Sequence, residues 1–187
     1  MTELERAAER WIEPYWNARH LLRTRDWALE LDANASEALR LAALTHDIER
    51  HFPGGPRFDP LTMRPDDVVY NREHSERSAR IVADWLREQG APEELVAEAR
   101  ELVLAHEWGG TPAADVVQAA DSLSFLEVNA EEVLVQWLRE GRALPDGARA
   151  KLDWMFERIR LPQAAELARP LYDSALDALE AEVAARR

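Results

Sequence analysis

The sequence contains no cysteine, which excludes disulfide bonds and thiolate chemistry. It has no run of about 18 apolar residues and therefore no typical transmembrane helix. The first residues, MTELERAAERWIEPYW, lack the apolar core of a secretory signal. Glycine-rich phosphate loops and the G-x-S-x-G nucleophile motif are also missing. We therefore expect a cytoplasmic protein that has no membrane partner.

Lysine is nearly absent, so arginine carries almost all of the positive charge. Lys and Arg together number 23 against 36 Asp and Glu, which leaves a formal net charge of −13. Such an acidic surface repels phosphate backbones and anionic lipids, and we expect no non-specific binding to nucleic acid. A small anionic substrate stays compatible with this charge if arginines cluster locally.

Strand-like alternation of apolar and polar residues is confined to the short run Val68-Val69-Tyr70, and helical spacing dominates the rest. This pattern predicts an all-α fold, and the 187 residues fit a single domain. The sequence leaves open whether this domain forms a homo-oligomer. Helices are expected at about 3–13, 16–32, 37–50, 72–89, 92–106, 112–128, 130–140, 147–159 and from 162 onward. Ser36 is the predicted N-cap of the third helix, and Pro170 is expected to interrupt the last. The proline-rich stretch of about 51–70 is the main irregular region, and long loops of this kind are usually functional.

The histidines fall in an ordered series along the predicted helices. The five are His20, His46, His51, His74 and His106. Asp47 directly follows His46, and Asp121 lies inside the apolar run DVVQAADSLSFL. A carboxylate on such an apolar helix is costly to bury unless it is paired or bound to metal. Taken singly, each residue is also compatible with an ordinary satisfied polar side chain or, for the aspartates, an arginine partner.

The order His … His-Asp … His … His … Asp resembles that of the HD superfamily. The segments that carry the resemblance are HLLR at 20–23, LAALTHDIER around the His-Asp doublet, AHEWGG and QAADSLS. It covers roughly residues 16–130 and implies an HD-like helical bundle, with about 131–187 as a helical C-terminal extension of the same domain. This sequence departs from the family in having Glu49-Arg50 where Gly-Lys follows the doublet. The short spacing from His106 to Asp121 also requires a tight turn through GGTP.

The resemblance implies a set of six metal ligands. His20, His46, Asp47 and Asp121 are expected to hold one ion, while His74 and His106 complete a second position that shares Asp47. Imidazole and carboxylate donors together suit iron, manganese, cobalt, nickel or zinc better than calcium. The sequence does not choose among these metals, nor between one ion and two.

The activity that the resemblance implies is hydrolysis of a phosphate ester or anhydride by a metal-activated water. The substrate would be a nucleotide or another small phosphorylated metabolite, with Asp47 and Arg50 as the catalytic residues. Substrate contacts are expected from four side chains, namely Arg23, Arg50, His51 and Arg77. The three arginines each follow a predicted ligand by three residues, so they share its helical face, and the pKa range of histidine suits His51 as a proton donor.

Alternatives to these roles remain open at this point. Arg23, Arg50 and Arg77 can instead form surface pairs with nearby acidic residues, namely Glu37, Glu49, Glu73 or Glu76. A set of four histidines and two aspartates also resembles that of HD-fold di-iron oxygenases. A third alternative is a metal-binding module without catalytic activity.

Overall fold

The all-α prediction is confirmed by the computed structural model, which describes residues 1–186. The α-helices are α1 Glu3–Ile12, α2 Ala18–Leu31, α3 Glu37–Thr45, α4 Val68–Glu88, α5 Glu93–Ala105, α6 Pro112–Ser124, α7 Gln136–Arg139, α8 Pro145–Glu157 and α9 Pro162–Ala185. A 3-10 turn, Ile48–His51, follows α3, and a π-type segment, Phe125–Val135, joins α6 to α7. Within the described residues there is no strand, and no helix is both long and apolar enough to cross a bilayer.

Helices α2, α3 and α6 pack together at the centre of the fold. Helices α1 and α5 lie against α3, and α4 packs on α5. Helices α8 and α9 pack on the π-type segment, and α9 also contacts α6. One cluster of buried hydrophobic side chains extends from Ala8 in α1 to Leu179 in α9. Burial of apolar surface is the main favourable contribution to folding. The C-terminal helices therefore share the core of the helices that carry the histidines.

The turn between α5 and α6 is built from two glycines, as the short spacing from His106 to Asp121 requires. Gly109 and Gly110 have φ angles of 66° and 114°, a region that favours glycine. The amide of Gly110 donates to Asp115 Oδ1 at 2.7 Å, and a Cβ on Gly109 would collide with that oxygen. Pro112 then occupies the first turn of α6, where its missing N–H costs nothing. The chain consequently reverses within a few residues.

Helix starts follow the expected signals. The Ser36 side chain accepts a hydrogen bond from the Leu39 amide and caps α3 as predicted. Val68-Val69-Tyr70, the one strand-like run, instead forms the first turn of α4, because the Asp67 side chain caps the Tyr70 amide.

Three expected helix ends are wrong. Pro170 does not interrupt α9. Pro170 has no N–H to donate to the carbonyl of Glu166, but both residues are exposed, so water can hydrate that carbonyl. The break expected near residue 129 is absent, since no proline or glycine occurs between Pro112 and Gly141. The third helix ends at Thr45 rather than near residue 50, so that His46-Asp47 lie in the turn before the 3-10 segment.

Candidate metal centre

The six side chains predicted as metal ligands meet in the interior of the fold. They come from α2 (His20), the turn after α3 (His46 and Asp47), α4 (His74), the end of α5 (His106) and α6 (Asp121). All six residues are buried, with relative exposures of 6% or less. Helices α2, α5 and α6 pack on α3, and α4 packs on α5 and on the 3-10 turn, which brings together positions far apart in sequence.

The six side chains form two groups. In each group the candidate ligand atoms lie within 4.8 Å of one another, and the groups are His20 with His46 and Asp121, and Asp47 with His74 and His106. In the first group, Asp121 Oδ1 is 3.1 Å from His20 Nε2 and 3.4 Å from His46 Nε2. In the second, Asp47 Oδ1 is 2.9 Å from His74 Nε2. These buried groups could each hold a metal ion.

Asp47 belongs to the second group and also approaches His46 of the first. Its Oδ1 atom is 3.9 Å from His46 Nε2, compared with 2.9 Å from His74 Nε2. The ring centroids of His46 and His106 are also only 5.0 Å apart, so the groups are adjacent. This arrangement suits the shared position expected of Asp47, although the carboxylate is nearer to the second group than to the first.

Two of the imidazoles are oriented by backbone carbonyls. His46 Nδ1 is 3.0 Å from the Ala43 carbonyl oxygen, and His106 Nδ1 is 2.6 Å from that of Val103. A carbonyl only accepts, so these contacts assign the proton to Nδ1 and leave the lone pair on Nε2. Both Nε2 atoms are buried and lack a hydrogen-bond partner among the described residues. Unpaired buried nitrogens are costly, and a coordinated cation would satisfy both.

Side chains orient the other two imidazoles in the same sense. His74 Nδ1 is 2.9 Å from Glu49 Oε1. His20 Nδ1 is 2.9 Å from Ser124 Oγ, and that hydroxyl donates to the His20 carbonyl at 2.8 Å. Because the hydroxyl proton is used on the carbonyl, Ser124 accepts from Nδ1–H. All four imidazoles therefore direct Nε2 towards the aspartates, as metal-binding histidines with carboxylate or carbonyl partners do.

The two aspartates are held in their charged form. Burial alone would raise the pKa of Asp121, but Arg158 and His46 hold it well below its usual value. Burial acts in the same way on Asp47, and there Arg50 and His46 keep the pKa well below its usual value. Metal ligands must be deprotonated, so both carboxylates are ready to coordinate at neutral pH.

The histidines differ in their protonation. Burial lowers the pKa of His106 to about 4, and the charges of His46 and His74 act in the same direction. Burial would also lower the pKa of His46, but the carboxylates of Asp121 and Asp47 raise it instead. For His74, contacts with Asp47 and Glu49 outweigh burial and the charge of Arg50, so its pKa is also raised. A cation that binds at Nε2 therefore competes with a proton at His46 and His74.

Arg158, which follows α8, is part of this centre and was not predicted from the sequence. Its guanidinium contacts the carboxylates of Asp121 and Glu107, and its Nε donates to Ser122 Oγ at 2.8 Å. Glu107 also forms a third candidate metal-binding group with His106 and Asp121. The position of Glu107 next to His106 in the sequence could have marked it as a candidate ligand, whereas Arg158 lies in a segment without a recognisable motif.

A cavity of about 350 Å³ adjoins the cluster, a volume in the range of small-molecule sites. His20, Asp47 and Asp121 are among its polar lining residues. The proline-rich loop lines it as well, through residues that include Pro53 and Pro65, so the loop lies beside the centre as expected. The π-type segment, α7 and α8 supply apolar wall residues, namely Phe125, Leu134, Trp137 and Met155.

Of the four predicted substrate contacts, only Arg50 lines this cavity. Its guanidinium contacts the Asp47 carboxylate, and Nη2 is 3.4 Å from His74 Nε2. The Arg50 side chain is therefore placed where it can face both the candidate ligands and a bound molecule.

Arg23, Arg77 and His51 do not line this cavity, and their expected contacts with substrate stay a prediction. Arg23 Nε donates to Glu127 Oε2 at 2.7 Å, so this side chain is paired with the π-type segment. Arg77 Nε is 3.2 Å from Glu49 Oε2, one of the acidic partners considered from the sequence, although Glu49 is buried rather than at the surface. His51 is exposed. The shared three-residue spacing fixes a helical face but not the carboxylate that each side chain meets.

No protein-family model matches the chain, and no solved structure matches it. Part of the chain is similar to the Endonuclease MutS2 of Maridesulfovibrio salexigens, with 33% identity over 110 residues. That match covers 59% of this chain but only 13% of the other protein. The comparison therefore shows only a partial likeness. The evidence for the helical fold and for the buried His/Asp clusters comes from the structure.

Proposed function

We propose that this chain is a metal-dependent phosphohydrolase of the HD superfamily. It hydrolyses an ester or anhydride of a small phosphorylated metabolite, such as a nucleotide. The observation that carries the proposal is the convergence of four imidazole Nε2 atoms on two charged aspartates that line a cavity. The ordered series of ligands along the sequence supports the same family.

One ion would be held by His20, His46 and Asp121, and a second by Asp47, His74 and His106. A bound divalent ion would lower the pKa of water and stabilise negative charge on phosphoryl oxygens. The donor set suits iron, manganese, cobalt, nickel or zinc.

The protein's own residues prepare this site in two ways. Acceptors behind each imidazole, such as Glu49 for His74 and Ser124 for His20, fix the orientation of Nε2 before anything binds. Arg50 places a guanidinium beside Asp47 at the cavity wall, where it can stabilise the charge of a phosphoryl group. We assign to Asp47 and Arg50 the catalytic roles expected from the sequence.

A di-iron oxygenase is the second candidate, and two observations favour it. The donors are four histidines and two carboxylates, and much of the cavity wall away from them is apolar. Such a wall accepts an uncharged organic substrate as readily as a phosphate ester. Nuclease activity, which the name of the partial relative suggests, is disfavoured because a net charge of −13 repels nucleic acid.

The deciding experiment is metal analysis of the purified protein, followed by assays with p-nitrophenyl phosphate and a panel of nucleotides. Metal-dependent phosphate release is expected, and Arg50→Ala should lower kcat/KM by at least about tenfold, the effect of one lost charged contact. Arg64→Ala is the matched control, because Arg64 is an exposed arginine paired with Asp66.

Three results would argue against the proposal. Bound iron with oxygen consumption and no phosphate release would indicate the oxygenase. Bound metal with neither activity would indicate a binding module. A protein that takes up no divalent metal would contradict all three metal-based functions.

A further inference from the structure

The sequence contains a single lysine, Lys151, and it lines the cavity from α8. All other cationic side chains that the composition counts are arginines. The two side chains are not equivalent, because an ammonium is a compact point charge with three donors whereas a guanidinium is a planar fork. The cavity therefore holds a cation of a kind found at no other position in the sequence.

Aromatic rings, rather than carboxylates, flank the Lys151 ammonium. Nζ is 4.3 Å from the ring centroid of Trp154 and 5.2 Å from that of Phe125. These cation–π contacts hold the side chain without neutralising its charge. Among residues 1–186, Lys151 forms no ion pair, so its donors remain available to a ligand.

The other cations of the cavity are less available. Arg50 is paired with Asp47, and Arg158 is paired with Asp121 and Glu107. Arg57 forms no ion pair within the described residues, but it is exposed on the proline-rich loop, where solvent weakens its interactions. Lys151 is half-buried and so acts in a less polar setting.

Lys151 also lies within the electrostatic field of the metal centre. Burial lowers its pKa to about 8, with Arg158 and Arg50 acting in the same direction and Glu107 and Asp121 in the opposite one. These four groups belong to the cluster or contact it. Lys151 Nζ and Arg158 Cζ lie 4.3 and 4.5 Å from the ring centroid of Trp154, so the ammonium is near a residue that contacts Asp121.

We propose that Lys151 binds the anionic group of the substrate, with phosphoryl oxygens between its ammonium and the histidine–aspartate cluster. The inference rests on the proposed function, since it assigns the phosphate contact of that same cavity. It gives the C-terminal helices a direct part in substrate binding.

The single lysine makes the test selective. Reductive methylation modifies primary amines, which here are Lys151 and the N-terminal amine, and mass spectrometry of peptides separates the two. On the metal-loaded protein, inorganic phosphate should slow methylation of Lys151 but not that of the N-terminal amine, which serves as the internal control. Sodium chloride of equal ionic strength should protect neither amine. Equal labelling of Lys151 with and without phosphate would overturn the proposal.

Variants give a second measurement. Lys151→Met should raise the dissociation constant of inorganic phosphate about tenfold, the usual effect of one charged hydrogen bond, and Lys151→Arg should retain part of the affinity. Arg149→Met is the matched control, because Arg149 lies on the same helix and is paired with Asp153 outside the cavity. If Lys151→Met fails to fold, the protection experiment on the unaltered protein still decides.

The two proposals fail in different ways. An active phosphohydrolase whose phosphate affinity and KM are unchanged in Lys151→Met would refute the role of Lys151 and leave the function standing. A protein that hydrolyses no phosphate compound, yet shows phosphate protection of Lys151, would support the anion site and reject the hydrolase.

Discussion

Replacing Arg158 by methionine tests how the C-terminal helices support the metal centre. The Arg158 side chain is only 6% exposed and contacts the carboxylates of Asp121 and Glu107. Methionine retains much of the side-chain bulk but removes the charge and all donors. Two buried carboxylates would then face each other without their shared cation.

The expected loss of stability is large for a single substitution. Removing one partner of a buried ion pair costs about 3–5 kcal/mol, because the remaining charge stays buried and unpaired. For comparison, the pair between the exposed Arg139 and the partly buried Glu182 should contribute only about 0–1 kcal/mol, because the guanidinium is open to solvent. Arg139→Met is therefore the matched control on the same half of the chain.

The pH dependence of this loss has a definite sign. Arg158 is the main group that depresses the pKa of Asp121 in the folded protein, against the effect of burial. The resulting stability is present above the unfolded pKa of about 3.9 and disappears as the pH falls through the folded pKa. The difference in the free energy of unfolding between Arg158→Met and the unaltered protein should therefore be largest at pH 7 and shrink as the pH is lowered towards 3.

Denaturation with urea, followed by circular dichroism in the presence of a chelator, measures this loss. Addition of zinc or manganese should restore part of the stability of Arg158→Met, since a bound cation supplies the missing positive charge. A loss at pH 7 no greater than that of the exposed control, about 1 kcal/mol or less, would refute the reasoning.

Three further results are expected. Asp121→Ala should abolish metal binding measured by elemental analysis while the helical circular dichroism spectrum remains, and Asp66→Ala, at an exposed site, should keep its metal. Glu49→Gln should weaken metal affinity by about 10–100-fold in a metal titration, because Glu49 accepts the Nδ1 proton of His74; an unchanged affinity would exclude that role. The raised pKa of His46 stabilises the metal-free fold below about pH 6.5, and this stability is lost as the pH rises through the folded pKa. The increase in Tm caused by metal should therefore grow from pH 6 to pH 8, and a constant increase would contradict the assignment of His46 as a ligand.

The sequence alone determined the features that depend on short-range patterns. Helical spacing of apolar residues predicted the all-α fold, and Ser36 and the GGTP turn set the ends of particular helices. The order of the histidines and aspartates predicted which six side chains to look for, and the structure brings all six together. These features could be predicted because helix periodicity, capping and ligand chemistry are properties of a few neighbouring residues.

Only the tertiary structure decided which distant groups meet. Arg23 and Arg50 both follow a predicted ligand by three residues, yet Arg23 pairs with Glu127 and Arg50 faces the cavity. Arg158 and Lys151 lie in a segment for which no chemical role was predicted, and the packing of α8 brings both to the cavity. The spacing of residues on a helix fixes a shared face, but the partner of each charge depends on how the helices pack, which no local pattern encodes.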